Sequence, residues 1–248
     1  MKVEKNKLPA LFTCLSPSLL HLYDVSSSIV VIIDILRATS TIATALHNGA
    51  KSIIPVNSVA ECIKLGKQME VITAGERDGK IADGLKYGNT PSQYTPGFVK
   101  GKTLVLTTTN GTRLLHMALA EGALSIITGS FCNLSAVCDY IIKQNKNVIL
   151  ACAAWKDRIN IEDTLFAGAV INRIKNNFQQ NCDASKIAES LYLSANNNFF
   201  DFMKDHNASH YDRLMGYGLE DDIRFCLTID NANVIVVYKD GRLITENK

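Results

Sequence analysis

Strand-length apolar runs alternate with helix-period segments over the first two thirds of this 248-residue chain. That alternation predicts an α/β fold, a mostly parallel or mixed sheet with helices on both faces. Two further observations support it. The run Val30-Val31-Ile32-Ile33 is apolar at every position, as a strand buried on both faces must be. The last third changes character, and predicts a helical insertion followed by a terminal hairpin. One unit over 1–248 is expected, with a smaller C-terminal lobe from about 180 as the other division.

The elements follow in order. After the opening strand, a helix runs from about Thr39 to His47 and stops at Asn48-Gly49. Ser52 to Val56 reads as a strand, and Ser58 to Gly66 as a helix capped by Asn57 or Ser58. Val71 to Ala74 is a short strand that opens onto a polar stretch, Gly75 to Lys102, too long for a routine connection. Alternation resumes with strand Thr103–Thr107, helix Gly111–Glu121, strand Leu124–Thr128 and helix Asn133–Lys143. Strand Val148–Ala153 and a helix from Glu162 to Phe178 complete it. Asp183 to Met203 then reads as one helix and Tyr211 to Met215 as part of another. Val234–Tyr238 and Arg242–Thr245, joined by Lys239-Asp240-Gly241, form the hairpin.

Composition narrows the class. Hydrophobic residues are 47% and charged residues 20%, ordinary for a globular protein with a core. A net charge of +2 without a Lys/Arg run argues against nucleic acid as partner. No apolar stretch approaches the roughly 20 residues that span a bilayer, and the charged Met1–Lys7 run carries no signal-type core, so a cytoplasmic protein is expected. The seven cysteines contain no C-x-x-C pair and are expected as buried, reduced thiols.

Four polar clusters fall where strands end, and ligands of open α/β sheets bind beyond the carboxyl ends of strands. Asp34 and Arg37 close the opening strand, a carboxylate able to hold a metal or attack a centre and an arginine able to clamp an anion. Glu76 and Arg77 sit in the turn Gly75-Glu76-Arg77-Asp78-Gly79. Thr107-Thr108-Thr109-Asn110-Gly111-Thr112 leads into a helix, whose first amides and dipole attract phosphate-like anions. Glu162 and Asp163 open the long helix, where a first-turn acid is favoured anyway; with the other carboxylates at one sheet edge they suit Mg²⁺. The set fits hydrolysis of a small phosphate ester. Among the histidines, His206 and His210 lie in a polar helical turn and read as surface residues, while Trp155 follows a strand end and either walls a pocket or simply packs. Serine-hydrolase and dinucleotide motifs are absent.

These clusters, in this order, resemble the 2-phosphosulfolactate phosphatase family. The matching segments are VVIIDILRATSTIATAL at 30–46, AGER at 74–77, YGNTPSQY at 87–94, LTTTNGTRLL at 106–115, GSFCN at 129–133 and EDTLFAGAVI at 162–171, with the Asp221-to-Cys226 run near the end. The resemblance implies a Mg²⁺-dependent, dimeric hydrolase that removes phosphate from 2-phospho-3-sulfolactate in coenzyme M synthesis. It groups Asp34, Arg37 and Glu76 as catalytic residues. Arg37, Arg77, Asn89, Ser92, Thr109, Asn110, Gly111 and Thr112 would bind the anionic substrate, and Asp34, Glu76, Glu162 and Asp163 would lie at the metal. The chain departs from the family where Ala153-Ala154-Trp155-Lys156 lacks a glycine, where Leu85-Lys86 replace Phe-Asp, and where Thr90 replaces Ser. A haloacid-dehalogenase phosphatase would need a second Asp at the position of Leu36. Another small multiply anionic phosphate ester, or a non-catalytic anion-binding module, are the alternatives.

Overall fold

The computed structural model describes residues 8–180 and 182–246; the Met1–Lys7 run lies outside the described residues. Strand β1 (Leu11–Cys14) precedes β2 (Ser28–Ile33) and helix α1 (Ala38–His47). Next come β3 (Ser52–Pro55), α2 (Val59–Met69), β4 (Ile72–Arg77), β5 (Lys80–Ile81) and the short α3 (Pro96–Val99). Then β6 (Thr103–Thr107), α4 (Gly111–Ala120), β7 (Ser125–Gly129), α5 (Leu134–Gln144), β8 (Asn147–Cys152) and α6 (Ile161–Ile174) alternate as expected. Four helices follow: α7 (Asp183–Ser194), α8 (Phe199–Asp205), α9 (Ser209–Gly216) and α10 (Glu220–Cys226). The hairpin β9 (Val236–Lys239) and β10 (Arg242–Thr245) ends the described chain.

The strands form one mixed sheet in the order β1-β8-β2-β7-β9-β10-β3-β6-β4-β5. Strands β1, β8, β2 and β7 are mutually parallel, as are β3, β6 and β4. The terminal hairpin joins the two blocks, antiparallel to β7 on one side and to β3 on the other. Three successive antiparallel pairings reverse one block relative to the other, so a flat sheet would place their carboxyl ends on opposite edges. Twist changes this: at about 20–25° per pairing, the five pairings from β2 to β6 accumulate more than a right angle. The sheet therefore wraps around α1 and α4. Val30 and Ile32 from one block, and Ile53, Leu104 and Leu106 from the other, pack on Ile42 and Leu46 of α1 and Leu114 and Leu115 of α4.

Strand alternation sends the other side chains outward. Ile29, Val31, Ile33 and Leu150 meet Val137 and Ile141 of α5, Phe166 and Val170 of α6, and the apolar faces of α7 to α10. Helix α2 covers the second block through Cys62, against Val56 and Val105. Ser58 caps that helix, its hydroxyl accepting the Glu61 amide at 3.1 Å. All seven cysteines are free, and six are buried. Among the described residues no helix is long and apolar enough to cross a membrane.

Several elements differ from expectation. Strand β1, at the sheet edge, has only four residues and no long apolar run to announce it. The helix expected over Asp183–Met203 breaks after Ser194, because Asn196 and Asn197 take φ of +46° and +59°. Asparagine accepts that left-handed geometry more readily than most residues. Helix α10 carries Glu220, Asp221 and Asp222 in its first turn, where acidic residues complement the dipole. Strand β4 continues through Glu76 and Arg77, so the tight turn needs only Asp78 and Gly79, at φ +53° and +84°.

Candidate active site

Asp34 follows β2, and its backbone is fixed on both sides. Its carbonyl accepts the Thr39 amide and hydroxyl, both at 2.9 Å, and its amide donates to Thr39 Oγ1 at 3.2 Å. The next amide, Ile35, donates to Asp163 Oδ1 at 2.9 Å. Only the Asp34 carboxylate is left to do chemistry, and it faces a narrow cleft. Leu36, Arg37, Glu76, Gly79, Asn89, Asn110, Trp155, His210 and Leu214 line the rest of that cleft. A β-carbon on Gly111 would stand 2.8 Å from Asp34 Oδ2, which explains glycine at the start of α4.

Glu76 enters from β4 and is buried. Its Oε1 accepts the Thr109 amide at 2.7 Å and its Oε2 the Gly79 amide at 3.0 Å, tying the β4–β5 turn to the β6–α4 turn. Burial and the charges of Asp163 and Glu76 push the Asp34 carboxyl up to about 8, against a smaller downward pull from His210 and the Ala38 amide. Three carboxylates thus crowd a poorly solvated space.

His210 is a buried residue of this cleft rather than the surface residue its polar helix suggested. Its Nδ1 lies 2.6 Å from Glu162 Oε1, and its ring packs on Trp155 with centroids 5.7 Å apart. The sequence held no signal for this pair, because Glu162 opens α6 and His210 belongs to α9. Trp155 does wall the cleft. It rides on a two-residue turn, Lys156-Asp157, at φ +49° and +64°, closed by Trp155 and Arg158 exchanging backbone hydrogen bonds of 2.8 and 2.9 Å.

The family described as 2-phosphosulpholactate phosphatase matches residues 14–241. The chain belongs to that family. It is therefore a phosphoric monoester hydrolase. A protein of Caldanaerobacter subterraneus subsp. tengcongensis named "Probable 2-phosphosulfolactate phosphatase" is 42% identical over 224 residues, covering 88% of this chain and 90% of its own. Identically named proteins of Thermotoga maritima (40% over 214 residues, 86% and 90% covered) and Clostridium acetobutylicum (36% over 224, 89% and 93%) are also similar.

Within this family member, the expected site residues do not all meet. Asp34, Arg37, Glu76, Asn89 and Asn110 all reach the cleft. Arg77 does not: strand alternation turns it to the other face, where it donates to the Glu76 carbonyl at 2.6 Å and to Thr107 Oγ1 at 3.0 Å. Ser92 is exposed on the Pro91–Gln93 turn, outside the cleft lining. Thr112 closes on its own turn, its amide donating to Thr108 Oγ1 and its hydroxyl to the Thr108 carbonyl, at 3.1 and 2.9 Å. Thr109 offers its amide to Glu76 and so cannot offer it to an anion.

Arg37 is held rather than free. Its Nη1 pairs with Asp222 Oδ2 and donates to Thr90 Oγ1 at 2.9 Å, and its Nη2 donates to the Gly79 carbonyl at 2.9 Å. Thr90 in turn donates to Asp222 at 2.9 Å. Ala154, in the segment that lacks a glycine, holds φ +56°.

The metal set expected from sequence also divides. Asp163 accepts Ile35, Ala154 and the Asn160 amide nitrogen on its two oxygens, at 2.9, 3.1 and 3.0 Å. It braces the Asp34 loop, while burial and Glu162 push its carboxyl up to about 7. Glu162 serves His210. Among the described residues no three His, Cys, Asp or Glu side chains form a ready metal cage. Mg²⁺ needs no such cage, taking one or two carboxylates with water and substrate phosphate. Asp34, the spare lone pairs of Glu76 and the buried, unpartnered Oδ1 of Asn89 supply oxygens of the kind it prefers.

Proposed function

We propose that this chain hydrolyses 2-phospho-3-sulfolactate to 3-sulfolactate and phosphate, with Mg²⁺ held by Asp34, Glu76 and Asn89. The substrate is taken from the relatives' names. The chemistry rests chiefly on one observation, the convergence of Asp34, Glu76 and the Glu162-oriented His210 on one narrow cleft. When bound, the cation supplies neutralisation of phosphoryl oxygens and a more acidic water. Asp34 presents its carboxylate while its own amide and that of Ile35 are engaged elsewhere. His210 Nδ1–H donates to Glu162, which leaves Nε2 to exchange a proton with the leaving oxygen. Asn110 faces the ester as a neutral polar group, and Trp155 with Leu36 and Leu214 excludes bulk water. In keeping with the resemblance, the enzyme acts in the cytoplasm, as a homodimer, in coenzyme M synthesis.

The test is phosphate release from 2-phospho-3-sulfolactate and from phosphate esters without a sulfonate, with Mg²⁺ and then with chelator. The expected result is a Mg²⁺-dependent rate and preference for the sulfonated ester. Tight binding of sulfolactate without turnover would instead make the chain an anion-binding module. A phospho-enzyme trapped by acid quench would make Asp34 the nucleophile.

A further inference from the structure

Three of the cations around the cleft mouth already face a carboxylate: Arg37 meets Asp222, Arg113 meets Asp157 at 3.0 Å, and Lys156 meets Asp78 at 3.1 Å. Arg213 meets none among the described residues. Its guanidinium carbon sits 3.7 Å from the centre of the Trp155 ring. Its Nε and Nη2 are buried and have no hydrogen-bond partner. A buried donor pair of this kind is costly without an acceptor. Arg213 also lies between two residues of α9 that line the cleft, His210 and Leu214.

We propose that Arg213, stacked on Trp155, receives the terminal sulfonate of the substrate on its Nε–Nη2 edge and so sets substrate specificity. The inference rests on the phosphatase reading above and names a residue outside every set expected from sequence. Two parallel N–H donors match two oxygens of a sulfonate. The aromatic face keeps the guanidinium flat and fixed before the ligand arrives. The phosphate and carboxylate of the substrate share one carbon, so a phosphate placed at Asp34 would bring the carboxylate beside it. The sulfonate, one carbon farther out, is the group free to reach the Trp155 wall.

Trp155 is the sole tryptophan of the chain, so its emission reports arrivals at this wall. The experiment is a fluorescence titration of the Mg²⁺-loaded full chain with 3-sulfolactate and with lactate, for wild type, Arg213→Gln and Arg213→Lys. Wild type should bind 3-sulfolactate at least ~10-fold tighter than lactate, the scale of one charge-assisted fork. Arg213→Gln should remove most of that ratio, while Arg213→Lys, which keeps the charge without the fork, should fall between. A thermal melt and far-UV circular dichroism of Arg213→Gln matching wild type show the fold still in place. Equal weakening of both ligands, or no weakening, overturns the proposal. Phosphate release by wild type from the sulfonated ester is measured alongside. If that release stands while Arg213→Gln keeps its selectivity, the Arg213 assignment fails and the phosphatase reading survives. If wild type neither hydrolyses the ester nor binds sulfolactate, both fail.

Discussion

Gly111→Ala should damage the reaction while sparing the fold. The added carbon would lie 2.8 Å from Asp34 Oδ2, 3.3 Å from Asp34 Cβ and 3.2 Å from Ala38 Cβ. Restoring ordinary contact near 3.5 Å requires a shift of about 0.7 Å, and the Asp34 carboxylate is the part able to move. Rotating it off its preferred rotamer costs about 0.5–1.5 kcal/mol. Alanine in place of glycine in a helix returns up to about 1 kcal/mol, less in the first turn. The net stability change is therefore small, and Tm should stay within about 3 °C. Function has no such compensation. A 1 Å misplacement at a reacting centre can cost about 10²-fold, so kcat should fall roughly 10- to 100-fold. Initial rates of phosphate release, paired with thermal melts, measure both quantities. Gly97→Ala, where a β-carbon meets nothing within 4 Å, is the control. Wild-type kcat in Gly111→Ala, or a collapse of Tm, would refute the reasoning.

Asp34→Asn should stabilise the metal-free protein: the Asp34 pKa is raised from 3.8 to about 8, so its favourable contribution is complete below pH 4 and lost as pH rises through 8. The Tm gain of the variant should therefore be larger at pH 8.5 than at pH 5, and Mg²⁺ should raise the Tm of wild type far more than that of the variant. Asp222→Asn leaves the Arg37 charge buried with only neutral partners and should cost about 3 kcal/mol, a Tm drop of roughly 6–12 °C by calorimetry. His210→Asn should lower kcat by roughly 10²- to 10⁴-fold. Glu162→Gln, which keeps the ring in place, should lower kcat less.

Local pattern made much of this molecule legible. Val30 to Ile33 announced a doubly buried strand, and Lys239-Asp240-Gly241 announced a hairpin whose Asp240 and Gly241 take φ of +50° and +79°. The place of that hairpin, in the middle of the sheet between β7 and β3, has no local signature. It is set by the inward side chains Val236 and Leu243 joining one core with both blocks. The expectation of four clusters at one sheet edge consequently had the wrong geometry, since the blocks run in opposite directions and meet through twist.

The same distinction runs through the site. Asp34 and Glu76 were visible because each is a polar residue interrupting an apolar or glycine-rich strand end. Arg77 misled because the turn was placed three residues early, which hid the alternation that sends it away from Glu76. His210 and Asp222 were missed because their partners, Glu162 and Arg37, lie 48 and 185 residues away in the chain. Such pairs exist only once α9 and α10 have packed against the strand ends, and no spacing rule within one element records them.

The most direct test of the central claim is the initial rate of phosphate release from 2-phospho-3-sulfolactate with Mg²⁺, measured for wild type and folded Asp34→Asn in parallel. Rapid release by wild type and a loss of at least ~10³-fold in the variant are predicted, the scale at which a group acting on the reacting phosphoryl charge contributes. An Asp34→Asn protein that turns over at the wild-type rate would contradict the account.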